Sequence, residues 1–328
     1  MALSSASAAL NDRPGVSDAT RERVKTAAAQ LDYVPSMRGK SLSSQRAFAV
    51  GLVIERDPEV LESDPFFGAF IGGIEESLSA EGYVLALLVT EDEQATLRRL
   101  VELVQGRRVD GVFINDLKVD DPRIALLRDL GVTTVAINPP AASDRSFPSV
   151  HQDGTRAIRD LVHTLVKLGH TRIAHVRGPI AYAHSADRLH AWRSAMDAEG
   201  LAVDLVEDGS FTYEGGRRAA EILLTRADRP TAVFCANDQS AIGFMNRATE
   251  FDIAVPDALS IVGYDGNRVG EFVRPQLATV QTSPRQLGRE AARMLLDAVT
   301  GGDPADVALS EARFVLRGSA GRLRTSAL

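Results

Sequence analysis

The chain has 328 residues, 45% hydrophobic and 25% charged, with a formal net charge of −7. That composition is that of a globular protein of about two domains and excludes disorder, collagen and coiled coil as global descriptions. One cysteine, Cys235, excludes an internal disulfide framework and a multi-cysteine zinc site. The longest clean apolar run, Ala47–Ile54, is far short of the ~20 residues a bilayer span needs.

The Ala/Ser-rich start has no Lys or Arg before Arg13 and no apolar core of signal-peptide length. No secretion signal is predicted, and a cytoplasmic location is expected. The charge is unevenly spread. Residues 1–46 carry seven Lys/Arg against four acids, a net +3, and the remainder carries −10. A mildly basic head on an acidic body suits a nucleic-acid partner, although chance asymmetry in a short segment is an open alternative.

Asn11-Asp12-Arg13-Pro14-Gly15 reads as a turn. Ser17 is a candidate N-cap, and Val24, Ala27, Ala28 and Leu31 recur at helical spacing, which predicts an amphipathic helix over Asp18–Leu31. Pro35 ends that segment, and residues 36–46 read as a polar linker or a helix too weak to stand alone. From Ala47 the pattern alternates. Strands are predicted at Ala47–Ile54, Tyr83–Thr90, Gly111–Asn115 and Thr133–Asn138, separated by helices over Phe66–Ala80, Gln94–Gln105 and Asp121–Leu130. After Pro139-Pro140 the theme restarts, with helices over Gly154–Leu168, Ser185–Glu199, Glu214–Thr225 and Gln239–Thr249. Strands at Arg172–Val176, Leu205–Glu207, Ala232–Ala236 and Ser260–Tyr264 lie between them. Two runs of this alternation predict an α/β fold of two doubly wound parallel-sheet lobes. Ligands of such sheets bind beyond the C-terminal strand ends. Polar groups stand there at Asn138, Asn237-Asp238 and Asp265.

No phosphate-binding loop, dinucleotide fingerprint, HExxH or Gly-x-Ser-x-Gly elbow occurs, and the six histidines lack metal spacing. Gly72-Gly73 lies inside a helix rather than after a strand. His170 reads as a helix-end residue and Cys235 as an inert core thiol. No nucleophile, base and orienter assemble, so neither an enzyme, a cofactor nor a metal is expected.

Several segments resemble one family. They are Leu10-Asn11-Asp12-Arg13-Pro14-Gly15-Val16-Ser17-Asp18-Ala19-Thr20-Arg21-Glu22-Arg23-Val24, Leu31-Asp32-Tyr33-Val34-Pro35, Asp64-Pro65-Phe66-Phe67 and Arg107-Arg108-Val109-Asp110-Gly111-Val112. Leu168-Gly169-His170-Thr171-Arg172-Ile173-Ala174, Ala236-Asn237-Asp238-Gln239-Ser240-Ala241-Ile242-Gly243 and Ser260-Ile261-Val262-Gly263-Tyr264-Asp265 complete the set. In this order, over residues 1 to about 318, they are similar to the lactose/galactose-repressor (LacI/GalR) transcription regulators.

The resemblance implies a helix-turn-helix head, a hinge segment and a type I periplasmic-binding-protein-like core that forms a homodimer on a palindromic operator in double-stranded DNA. It implies three chain crossings between the lobes. The head would hold residues 1–35 and the hinge 36–46. Lobe one would hold 47–149 with 283–308, lobe two 150–282 with 309–318, and 319–328 would be a tail. One departure stands out: the family's first helix is missing, and Met1–Asn11 aligns with the recognition helix. The head is therefore expected to be truncated, and its preserved remainder favours a longer natural protein over one impaired for DNA.

By resemblance, Leu3, Ser4, Ser5, Ser7 and Asn11 face DNA, and Leu42 wedges into the minor groove. An Ala/Ser-rich tail and a plain linker are the alternatives. Phe66 or Phe67 packs on a small-molecule effector, with core packing of both as the alternative. Arg188 contacts the effector, Phe211 stacks on a sugar face, and Asn138, Asp265 and Thr282 complete the cleft. Asn237 and Asp238 are ranked lower, as helix-capping residues. Aromatic, carboxylate, amide and guanidinium groups together suit a carbohydrate. The expected function is a DNA-binding regulator, of repressor type, controlled by a small polar effector. A solute-binding protein for transport or chemoreception is the alternative; it would lack the basic head and carry a secretion signal.

Overall fold

The computed structural model describes residues 3–10, 14–33, 39, 41, 44–56, 58–139 and 146–324. It divides into two units, Met1–Phe48 and Ala49–Leu328. In the smaller unit, α1 (Leu3–Leu10) packs on α2 (Asp18–Gln30). Ala9 is fully buried and Val24 nearly so, while Ala27 and Leu31 are exposed. The buried stripe of α2 is thus narrower than the spacing predicts. Ser17 occupies the N-cap position, but its hydroxyl meets the Thr20 hydroxyl at 3.0 Å instead of capping a backbone N–H. Most of the expected hinge, Leu42 included, and Asn11 lie outside the described residues.

The larger unit holds two six-stranded sheets. The first comprises β1 (Ala49–Glu55), β2 (Val84–Thr90), β3 (Gly111–Ile114), β4 (Thr133–Ile137), β5 (Ser149–His151) and β11 (Val307–Ala308), in the order β11-β5-β4-β3-β1-β2. Every pairing in it is parallel. The second comprises β6 (Ile173–Arg177), β7 (Val206–Asp208), β8 (Ala232–Cys235), β9 (Ser260–Asp265), β10 (Ala278–Gln281) and β12 (Arg313–Val315). Its order is β12-β10-β9-β8-β6-β7, and only β12 runs antiparallel. Both sheets therefore reverse strand order once, between β1 and β3 and between β6 and β8. A doubly wound sheet opens its ligand crevice at that reversal.

Helices α3 (Pro58–Ser63), α4 (Pro65–Ala80), α5 (Glu93–Gln105) and α6 (Pro122–Leu130) follow the strands of the first sheet. In the second sheet the helices are α7 (Thr155–Lys167), α8 (Ala183–Ala198), α9 (Tyr213–Leu224), α10 (Asp238–Glu250) and α11 (Val269–Phe272). α12 (Pro284–Val299) returns to the first sheet and packs along α4. Short polar residues at strand ends start several of these helices. Asp64, Asp92 and Asp121 each accept a backbone N–H at the start of α4, α5 and α6, and Pro65 and Pro122 fill first-turn positions. Apolar side chains bury against both sheet faces; Trp192 on α8 is fully buried beside His175 and Phe234.

The predicted elements over 47–265 are all present, with ends shifted by one to three residues. β1 starts at Ala49 because Phe48 has φ +53°, which no strand residue adopts. β5 runs through His151 in the first sheet, just past the expected lobe boundary at 149/150.

The α4–α12 contact relies on glycine at both positions of closest approach. A Cβ on Gly73 would overlap the Arg285 carbonyl, and one on Gly288 would overlap the Phe70 carbonyl. The Gly72-Gly73 pair inside a helix thus serves helix packing. Gly73→Ala or Gly288→Ala should lower stability by about 1–3 kcal/mol through forced backbone separation. Gly68→Ala, in open space on the same α4, should be neutral or stabilising by up to ~1 kcal/mol. Denaturant midpoints of the three variants test this.

Candidate functional site

Three chain crossings link the sheets, at 151–155, 281–284 and 308–313. Gln152 ties them together. Its backbone N–H donates to the Asn138 side-chain oxygen (3.0 Å), its Oε1 accepts from the Ser283 N–H (2.9 Å), and its Nε2 donates to the Ser310 carbonyl (2.8 Å). The Leu309 and Ala312 N–H groups donate to the His151 and Asp153 carbonyls.

On the far side of the cleft the lobes touch again. The Ala183 N–H donates to the Leu117 carbonyl at 2.9 Å, Lys118 bridges Tyr182, and the Tyr182 hydroxyl donates to the Glu55 carbonyl at 3.3 Å. The Arg56 guanidinium lies 4.2 Å over the Tyr182 ring and donates from Nε to Asp116 at 3.0 Å. Burial works against the charge on Arg56, but Asp116 outweighs it and raises the pKa above its ordinary value. Burial likewise opposes ionisation of Asp116, yet Arg56 holds it below the usual carboxylate range. His184, 4.0 Å from Asp116, is pushed down to about 3 by burial, so it is neutral near pH 7 and the ion pair here is that of Arg56 with Asp116.

Between crossings and far-side contacts lie two adjoining compartments. The larger, of about 520 Å³, is bounded by Phe66, Asn138, Gln152, Asp187, Arg188 and Thr282, with Asp265 at its junction with the smaller. The smaller, of about 70 Å³, is bounded by Arg56, Asp64, Phe67, Asn115, Phe211 and Asn237.

Arg188 stands between them. Its Nη1 donates to the Ala236 carbonyl at 2.5 Å, and its guanidinium lies 3.8 Å above the Tyr264 ring. Its Nη2 is 3.9 Å from Asp265 Oδ1, beyond hydrogen-bond reach. Asp265 is only 6% exposed, and among the described residues nothing donates a hydrogen bond to its carboxylate. Burial raises its pKa well above the carboxylate range despite Arg188. Its backbone at φ +104° is strained for a non-glycine residue, and the Thr282 N–H and hydroxyl both donate to its carbonyl at 3.1 Å. The chain is thus held in an unfavourable conformation that sets a desolvated acid at the cavity wall.

The seven residues expected around an effector all border one or both compartments. Phe66 borders both; it stacks on Phe70 and meets Phe67 edge-on. Phe67 is buried and borders only the smaller compartment. Phe211 stacks against His184 at 5.3 Å, so the ring already has an aromatic neighbour. Thr282 borders the larger compartment and Asn138 both. Asn237 caps α10 and donates to the Phe211 carbonyl, and buried Asp238 accepts from Thr279 and the Asn267 N–H. Of the expected DNA-facing residues, Leu3, Ser4, Ser5 and Ser7 lie on α1.

Arg56, Asn115 and Asp116 were not singled out from sequence. Each follows the C-terminal end of β1 or β3, the same rule that selects Asn138 and Asp265. Nothing in the sequence marks Tyr182, His184 or Asp187.

Two doubly wound lobes, three crossings and a polar interlobe cavity define a type I periplasmic-binding-protein-like core. The family model for bacterial regulatory proteins of the lacI family matches residues 2–36, and that for the periplasmic binding protein-like domain matches 162–320. The HTH-type transcriptional regulator CelR of Thermobifida fusca is 33% identical over 295 residues, covering 89% of this chain and 86% of that protein. A solved CelR–cellobiose complex superposes with a TM-score of 0.77 at 32% identity, covering 95% and 94% of the two chains. A Lac repressor dimer bound to operator and the anti-inducer ONPF gives 0.83 at 25% identity, over 97% and 95%. The chain belongs to the LacI family of transcriptional regulators. Among the described residues no helix is long and apolar enough to cross a membrane.

Replacing Arg188 by Ala removes the guanidinium from both compartments and its carbonyl bond to Ala236. The fold rests on the sheets, so melting temperature should stay within a few degrees, while effector affinity should fall at least about tenfold, the loss of one charge-assisted contact. Titration of the single tryptophan's fluorescence reads it, since Trp192 lies one helical turn from Arg188.

Proposed function

We propose that this protein is an effector-controlled repressor whose ligand is a carbohydrate held between the lobes by Arg188 and Asp265. The observation that carries this reading is the Asp265 carboxylate, desolvated, without a hydrogen-bond donor and facing the cavity 3.9 Å from a guanidinium. A carboxylate accepts from paired sugar hydroxyls and a guanidinium donates to them. Phe66 and Phe67 supply apolar surface for a ring, Phe211 an aromatic edge, and Asn138 and Thr282 hydrogen-bonding groups at the crossing side. Because CelR binds cellobiose in its solved complex, a neutral β-linked disaccharide is the first ligand to test.

In the same reading, residues 47–149 with 283–308 and residues 150–282 with 309–318 act as two bodies joined at the crossings. Closing them on ligand changes the affinity of the head for DNA, a coupling free energy between two sites. Ser4, Ser5, Ser7 and Asn11 supply short hydrogen-bonding side chains to phosphates and base edges, Leu3 an apolar contact, and Leu42 a minor-groove wedge. A homodimer on a palindromic operator follows the Lac repressor arrangement. The exposed Val84, Leu87 and Val89 on edge strand β2 support self-association.

Selection of the purified chain against a random duplex library should enrich a palindrome, more weakly at higher salt because phosphate contacts release counterions. Cellobiose should shift affinity for that palindrome in the parent chain, while Arg188→Ala and Asp265→Ala should bind it with no response to sugar. Loss of DNA binding and sugar response together would contradict the separation of roles.

A further inference from the structure

The larger compartment has a charge balance that a site for one neutral ring does not require. Asp153, Asp187, Asp265 and Asp306 border it, against a single guanidinium, Arg188. Two of these acids have work in the fold: Asp153 accepts from the Thr155 N–H, and Asp306 from the Ser149 N–H and hydroxyl. Asp187 accepts no hydrogen bond among the described residues, and Asp265 presents its buried carboxylate from the other wall. Burial holds Asp187 above the usual carboxylate range, and the nearby Asp153 charge adds to this against His190 and Arg188. The volume, about 520 Å³, is room for roughly 17 water molecules at ~30 Å³ each. That exceeds what one sugar ring fills, and the smaller compartment adjoins it across Arg188.

We infer that the larger compartment is a second subsite, taking a further sugar unit that is uncharged or amine-bearing and rejecting one that carries a negative charge. The inference rests on the carbohydrate reading and deepens it. A ring seated at Arg188 and Asp265 leaves its neighbour between Asp187 on α8 and the crossing-side wall of Gln152 and Asp153. Hydroxyl and ammonium groups donate to carboxylates; an added carboxylate or phosphate has only Arg188 as a counter-charge and meets the Asp187 charge in a partly desolvated space. Phosphorylated and oxidised sugars are thereby excluded as effectors, and linked sugars are preferred over single ones.

The test compares four probes on the full chain by Trp192 fluorescence and calorimetry at pH 7: glucose, cellobiose, its oxidised form cellobionate, and the β-1,4-linked dimer of glucosamine. Cellobiose should bind at least about tenfold more tightly than glucose and than cellobionate, and the diamine should bind no more weakly than cellobiose. Asp187→Asn, on an exposed position of α8, should bring cellobionate to within about threefold of cellobiose while leaving cellobiose binding nearly unchanged. Equal affinity for glucose and cellobiose, or for cellobiose and cellobionate, would overturn the second subsite while leaving a sugar effector in place. Failure of all four probes, with Asp187→Asn equally silent, would overturn it together with the carbohydrate reading.

Discussion

Three separately returning chain segments must meet at one side of the cleft, and the Gln152 side chain holds them there. Its amide bonds to Ser283 and Ser310, and its backbone to Asn138, join all three crossings and the end of β4. Each bond contributes on the order of 1 kcal/mol, but together they fix where the lobes cannot separate. Motion between the lobes is therefore rotation about this edge, and the two compartments lie on its open side.

The opposite edge is closed by a different kind of contact. Arg56 over Tyr182, its ion pair with Asp116, and one backbone bond from Ala183 to Leu117 span the lobes. These are few and polar, whereas each lobe has its own continuous apolar interior. A structure firm at the crossings and lightly held at the far edge has two arrangements within a small free-energy difference, which is what a ligand needs in order to shift a population. Arg188 and Asp265 sit between the edges, 3.9 Å apart and bordering both compartments. A hydroxylated ligand can supply the donors that Asp265 lacks and so favours the closed arrangement.

Much of this was legible in the sequence because strand-helix alternation is a local signal. Apolar runs such as Ala232–Ala236 and the helical spacing of Gly154–Leu168 needed no tertiary information. The ends shifted where backbone conformation decided them, as at Phe48. The stretch beyond Asp265 was placed by likeness alone: β11 and β12 are two and three residues long, and they exist because they pair with β5 and β10. At the site, the strand-end rule reaches Asn138 and Asp265, and applied to β1 and β3 it reaches Arg56 and Asp116. Phe67 shows the limit of spacing: adjacent phenylalanines on α4 divide between cavity wall and core, and only the packed helix says which is which. Asp187 was illegible because a single acid on an amphipathic helix looks like any solvent-facing charge. Its place opposite Asp265 arises only when the second lobe folds back across the cleft.

The central claim is that cleft and DNA-binding head share one free-energy difference. Coupling is reciprocal, so the factor by which an effector changes operator affinity must equal the factor by which operator changes effector affinity. The most direct measurement is the effector dissociation constant, read from Trp192 fluorescence, with and without saturating operator duplex. A change of about fivefold or more, equal to that found when effector is added to an operator titration, is the predicted result. An effector affinity indifferent to operator, with operator affinity indifferent to effector, would contradict it.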